Sequence, residues 1–130
     1  MIIVLDSNEY INFLNKKIFF PDKIFTTQKI TICINELIVR EILRNINEAL
    51  KSEFYNMLFK NNINLFNERL QFDLYDKYEK LGLKKGDIVI AAFCEYVEAE
   101  YLISENRHFL KSTKFAKFKV LNIKDFLKIL

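Results

Sequence analysis

MIIVLDSN, residues 1–8, is the stretch that decides the fold. Met1 to Leu5 is an unbroken apolar run rich in β-branched side chains, the pattern of a strand covered on both faces. It stops at Asp6, Ser7 and Asn8, three polar residues that are good helix N-caps. Tyr10, Ile11, Phe13 and Leu14 then recur at helical spacing. A strand, a tight polar turn and a helix are how a parallel α/β sheet begins.

The same alternation continues outward from that start. Pro21-Asp22 restarts the chain into a short helix, and Lys29 to Ile34 reads as a second strand. From Asn35 the pattern is helical, with Leu37, Ile38, Val39, Ile42, Leu43 and Ile46 on one broad face, and a further helix covers Ala49 to Phe59. Asn61-Asn62 breaks it, Ile63 to Phe66 is a short strand or extended segment, and Leu70 to Leu81 is helical again. Gly82-Leu83-Lys84-Lys85-Gly86 holds both glycines and reads as a loop, after which Asp87 opens a helix, Ile88 to Val97, that is apolar nearly all round and so buried. Glu100 to Ser104 is a strand, Glu105 to Lys111 a loop with a helical turn, Phe118 to Ile123 a last strand and Asp125 to Leu130 a closing helix. Strand and helix alternate throughout, which predicts a three-layer α/β/α sandwich around a central, mostly parallel sheet.

Bulk properties narrow the class. At 130 residues, half of them hydrophobic, the chain can close one core and is too short for two, so residues 1–130 form one domain. Thirteen Phe and six Tyr against two Gly and one Pro describe long regular elements with short connections, and most of those aromatics fall in apolar runs that make them core. The longest apolar run, Ile88 to Cys94, is far short of the roughly 20 residues a bilayer crossing needs, and no basic start followed by an apolar block marks a signal. We therefore expect a soluble, cytoplasmic protein with no membrane partner. Cys33 and Cys94 have no second Cys or His at ligand spacing, which excludes a zinc site or CxxC motif and leaves two buried free thiols. A net charge of +3 permits a nucleic-acid partner without demanding one.

Open parallel sheets place their sites beyond the C-terminal ends of the strands, and three acids fall at or near such places. Asp6 follows the first strand, Asp87 begins the buried helix, and Glu41 lies about two turns into the helix after the second strand. Carboxylate oxygens are hard ligands suited to Mg²⁺ or Mn²⁺, and a cation held by few of them keeps positions open for a phosphate. Taken alone, Asp6 reads first as a turn or capping residue, and Asp87 reads as readily as the N-cap after Gly86. Glu41 is more telling. At about 100° per residue it falls between Leu37 and Ile38 on the margin of the apolar face, where a solvated Glu does not belong. Glu36 projects from the other margin and ranks below it.

Four segments in order resemble the motifs of the PIN-domain family across nearly the whole chain. IIVLDSN is similar to the first, a strand ending in Asp, then Ser or Thr and a small polar residue; ITICINELIVREILRN resembles the second, with its Glu at Glu41. GLKKGDIVIAAF looks like the third, with its Asp at Asp87, and YLISENRHF like the fourth, except that the family's usual Asp falls on Asn106. Glu105 beside it is a substitute acid whose side chain leaves the strand end in another direction.

The resemblance implies a Mg²⁺- or Mn²⁺-dependent endoribonuclease that hydrolyses RNA phosphodiester bonds, often as the toxin of a toxin-antitoxin pair, with an antitoxin protein as partner and a homodimer as assembly. Asp6, Glu41 and Asp87 would hold the metal, and Asn106 would orient the ion or its water. Ser7 would support that metal shell or cap the helix, and Lys84, Lys85, Arg40, Arg44 and Arg107 would meet phosphates or lie on solvated surface. His108 reads as a packing or hydrogen-bonding residue and Phe109 as core. Asn106 and the modest charge leave open an inactive PIN-like domain that binds RNA or a protein. A phosphoacceptor domain is a third class, disfavoured because Ser7 and Asn8 stand where its acidic pair would continue.

Overall fold

The computed structural model describes residues 1–16, 23–60, 62–67, 72–112 and 117–130. In chain order the elements are β1 (Ile2–Leu5), α1 (Ser7–Leu14), α2 (Lys23–Thr26), β2 (Thr31–Asn35), α3 (Glu36–Arg44), α4 (Glu48–Lys60) and β3 (Ile63–Phe66). There follow α5 (Phe72–Lys80), α6 (Lys85–Tyr96), β4 (Tyr101–Ile103), α7 (Arg107–Ser112), β5 (Lys119–Leu121) and α8 (Ile123–Ile129). Pro21, Asp22, Asn61, Leu70 and Gln71, which the sequence reading assigned to turns and helices, lie outside the described residues.

The strands form one five-stranded sheet in the order β3-β2-β1-β4-β5, and every pair is parallel. The mostly parallel sheet of the sequence reading is thus wholly parallel among the described residues. The chain steps outward from β1 to β2 to β3, then returns past β1 to β4 and β5. Right-handed crossovers put the helices of the first excursion on one face and those of the second on the other. Packing agrees: α1 meets α3 and α4, whereas α5 and α6 pack together. The direction reverses between β1 and β4, so the crevice at their C-terminal ends is the topological switch point where α/β sheets bind ligands.

The core follows from the pattern that predicted it. Ile3, Val4 and Leu5 are buried on both faces of the sheet's middle strand, and α6 buries Ile88 together with Ile90 to Cys94. Tyr10 of α1 lies between Phe25 and Phe54, its ring centroid 6.3 and 6.2 Å from theirs, and Phe66 of β3 meets Phe93 of α6 edge to face. Both cysteines are free and buried, and burial pushes their thiols up, as for inert core residues. No helix among the described residues is long and apolar enough to cross a membrane.

Several boundaries moved, each for a local reason. The loop expected over Gly82 to Gly86 ends early, because α6 starts at Lys85 and the Ile88 N–H already bonds to the Lys84 carbonyl at 2.8 Å. Gly86 is therefore helical. The strand expected over Phe118 to Ile123 stops at Leu121, since the Asn122 side chain accepts the Asp125 N–H at 2.7 Å and starts α8 at Ile123 rather than Asp125. The strand expected over Glu100 to Ser104 is regular from Tyr101 to Ile103, while the flanking Glu100 and Ser104 N–H groups still bond to the Ile2 and Leu121 carbonyls. The turn after β4 winds into α7.

Gly82 carries a φ of +95° with nothing near where a Cβ would stand, so its role is conformational alone. Gly82→Ala should lower stability by roughly 1–2 kcal/mol, seen as a lower urea midpoint with an unchanged m-value.

Candidate active site at the β1–β4 switch point

Asp6 is placed twice over. Its backbone N–H donates to the Ile103 carbonyl at 3.0 Å, extending the β1–β4 ladder by one bond. Its side chain then caps α1: Oδ1 accepts the Ser7 N–H at 2.8 Å, with the Ser7 hydroxyl farther off at 3.5 Å. Oδ2 accepts the Ser104 hydroxyl at 2.8 Å. The cap is thus Asp6, and Ser7 is the first helical residue, held beneath it. Asp6 is only 7% exposed and both its oxygens are engaged, so the carboxyl is fixed at the mouth of the crevice.

Ser104, fully buried just after β4, joins the two sides of the site. While donating to Asp6 it accepts the Asn106 N–H at 3.0 Å. The Asn106 side chain is oriented in turn: Oδ1 accepts the His108 N–H at 3.0 Å at the start of α7, which leaves Nδ2 facing Asp87 Oδ1 at 3.5 Å. The acceptor role of Oδ1 settles which end of the amide points where. Asn106 thus meets Asp87 as a donor.

Asp87 arrives from the far face. Since α6 begins at Lys85, Asp87 is its third residue rather than the N-cap that the sequence suggested; the N-cap is Lys84, which makes no side-chain capping bond. That places the half-buried Asp87 in the first turn of a helix whose N-terminus points into the crevice, where the macrodipole favours negative charge. Burial and then the Asp6 carboxylate push the Asp87 carboxyl above its ordinary value, while His108, the Asn106 amide and Lys84 pull it down. Two acids 81 positions apart in the chain therefore feel each other across the switch point.

Glu41 comes in beside them. Leu37 and Glu41 are half-buried on α3 while Ile38 and Ile42 are buried, as the angular reading requires. Glu41 Oε1 lies 3.9 Å from the point a Cβ on Gly86 would occupy, next to the first turn of α6. Glu36 instead pairs with Arg40 at 2.5 Å on the exposed face of α3. Lys85, Glu105, Arg107 and His108 are exposed around the crevice, and Phe109 is buried.

Among the described residues no three His, Cys, Asp or Glu side chains stand close enough together to hold an ion in their present positions. The donor set itself is chemically uniform: carboxylate oxygens, which suit Mg²⁺ or Mn²⁺ and would relieve their mutual repulsion on binding one.

Glu9 escaped the sequence reading. It sits one turn after Asp6 on α1, is 1% exposed, and has neither carboxylate oxygen in a hydrogen bond. Burial first, then Glu105 and Asp6, push its carboxyl up to about 7. The argument applied to Glu41 would have found it, because at 100° per residue Glu9 falls about 40° from Phe13, on the apolar margin of α1.

No protein-family model matches the sequence, and no curated protein matches it. Solved structures do resemble it in shape. A chain in the crystal structure of VapBC2 from Rickettsia felis, bound to a DNA fragment from their promoter, superposes with a TM-score of 0.64 at 19% identity, over 94% of this chain and 98% of that one. The T. brucei RRP44 PIN domain superposes with a TM-score of 0.60 at 12% identity, over 98% of this chain and 79% of that one.

Two outcomes test this geometry. Ser104→Ala leaves Asp6 Oδ2 and the Asn106 N–H without their shared partner, and chemical denaturation should read a loss of about 1–3 kcal/mol. Because Glu9 titrates near 7 when folded and near 4.5 when free, the folded chain keeps a proton that the unfolded chain has released. Stability falls as pH rises from about 4.5 to about 7, and the whole penalty persists above that. In EDTA, Glu9→Gln should melt higher than wild type at pH 8, with the gap closing toward pH 5; an equal gap at both would contradict the assignment. Both the strand order and the superpositions give the same result: the chain has the PIN-domain fold.

Proposed function

We propose that this chain is a divalent-metal-dependent endoribonuclease whose site is built on Asp6, Glu41 and Asp87. One observation carries the reading: Asp6 and Asp87 come from opposite faces of the sheet to the same switch point, near enough for Asp6 to raise Asp87. Structural ion pairs place opposite charges together, whereas acids gathered outside any of the described ion pairs mark a site for a cation or an acid–base reaction.

Asp6, Glu41 and Asp87 would hold Mg²⁺ or Mn²⁺, and a bound ion would supply an acidified water and neutralise charge developing on the phosphate. The chain's own residues do the positioning. Ser104 and the Ser7 N–H hold Asp6 at a fixed angle. Asn106, with its oxygen engaged by α7, steadies Asp87 through its amide nitrogen rather than offering a ligand oxygen. Lys85 and Arg107 are the first residues of α6 and α7 and would meet phosphate oxygens of an RNA strand. The likeness to a VapBC2 chain extends the proposal to a toxin working with an antitoxin partner, and exposed Phe59 and Phe72 offer apolar surface for such a partner or for a second copy.

A second reading, a PIN-like domain that binds RNA or a protein without cutting, is favoured by the separation of the acids and by Asn106. Purified protein with Mn²⁺ or Mg²⁺ and a labelled RNA separates the two. The nuclease reading expects cleavage that EDTA stops and that Asp6→Asn or Asp87→Asn lowers by at least about 100-fold, a loss of roughly 2.7 kcal/mol of barrier lowering. Gel-shift retention of RNA with no cleavage in either metal would decide for the binding domain, and cleavage that survives EDTA would rule out the metal.

A further inference from the structure

A cavity of about 260 Å³ lies at the edge of the sheet opposite the switch point, where α6 ends and the chain enters β4 and β5. Buried Cys94, Ala99 and Phe118 give it an apolar floor. Its polar wall sets Glu95, Glu98 and Glu100 against one cation, Lys117. Two features separate this wall from a solvated acidic surface. The Glu95 side chain is only 9% exposed; its Oε1 pairs with Lys77 at 2.6 Å, but its Oε2 is buried with no hydrogen-bond partner among the described residues. A buried carboxylate oxygen without a donor is costly unless a ligand supplies one. Glu98 is the second. It takes a φ of +56° just past the C-cap of α6, in a turn where its own N–H donates to the Glu95 carbonyl and the Ala99 N–H to the Cys94 carbonyl. Glycine suits that conformation best, yet the chain holds a carboxylate there.

A single metal ion does not answer this wall, because no three acids among the described residues stand close enough to hold one. Positive charge has to arrive at separated points, on a body that also covers the apolar floor. The volume falls just under the roughly 300–1,000 Å³ of common ligand sites, which suits a short chain and excludes a nucleotide or a folded partner. We infer that the cavity binds a short aliphatic polyamine. One ammonium lies against Glu95 at the buried end. Another meets Glu98 and Glu100, both exposed and outside the described ion pairs, through charge-assisted hydrogen bonds. The methylenes between them cover Cys94, Ala99 and Phe118. Since α6 carries Asp87 near its other end and β4 leads into Ser104, the bound amine braces two elements that build the switch point. The inference does not rest on the nuclease reading.

Calorimetry with putrescine and spermidine, in metal-free buffer at low ionic strength, tests it without relying on activity. The expected result in wild type is one saturable site that salt weakens and that 1,4-butanediol, of the same chain length as putrescine but uncharged, does not occupy. The double variant Glu98→Gln, Glu100→Gln should bind at least about tenfold more weakly. Both positions are exposed, and circular dichroism confirms that the variant is folded. Glu98→Gly supplies a second readout: it suits the positive φ, so it should melt higher than wild type without amine and still bind more weakly. Glu53→Gln, on the exposed side of α4, and Asp87→Asn should bind as wild type does. The site is overturned if wild type binds neither amine, if the double variant or Glu98→Gly keeps full affinity, or if Glu53→Gln costs as much as the double variant. Loss of binding in Asp87→Asn would overturn it too, by placing the amine in the switch-point crevice. Cleavage of RNA with Mn²⁺ is measured separately, so each of these failures leaves the nuclease reading intact.

Discussion

The bond from the Asp6 N–H to the Ile103 carbonyl is the last rung of the β1–β4 ladder, and the site depends on it. That rung fixes the residue whose side chain starts α1 and whose other oxygen is held by Ser104. It also brings the end of β4 beside Asp6, so that Asn106 hangs from Ser104 and reaches toward Asp87. The bonds to Asp6 are buried and those of Asn106 part-buried, so a missing partner there costs more than a made bond gains. The network therefore sets one geometry for the crevice rather than a family of them.

Parallel topology explains why acids from distant parts of the chain meet there. Strands that all run one way deliver their C-terminal ends to one edge, and helices returning from the opposite face begin at that same edge, as α6 does with Asp87 in its first turn. The fold thereby collects carboxylates with few counterions beside them. Burial first and then mutual repulsion raise the Asp87 and Glu9 carboxyls, and Lys84, His108 and the Asn106 amide offset this only around Asp87. Stability is given up at this edge and recovered in the core, where Tyr10, Phe54, Phe109 and the buried face of α6 are apolar and closely covered.

How legible this was in the sequence varied residue by residue. The middle strand, the buried helix and the apolar face of α3 came straight from periodicity, because a side chain's burial in a regular element depends on its angular position alone. Element ends were less legible. The start of α6 at Lys85 placed Gly86 inside a helix, and the Asn122 cap shortened β5, since both depend on which backbone groups find partners. Glu41 was identifiable from its place on an apolar margin, and Glu9, on a similar margin, could have been.

By itself the sequence determined the α/β alternation, the buried segments and the candidacy of Asp6, Glu41 and Asp87, because these follow from residue type and spacing along one element. Only the tertiary structure decided which groups share a crevice: that Asp6 and Asp87 interact, that Asn106 turns its nitrogen rather than its oxygen to Asp87, and that Glu9 lies buried with only acids acting on it. Electrostatic interaction falls with distance in space and not along the chain. Where strand order brings residues together across the sheet, spacing in sequence carries no measure of it.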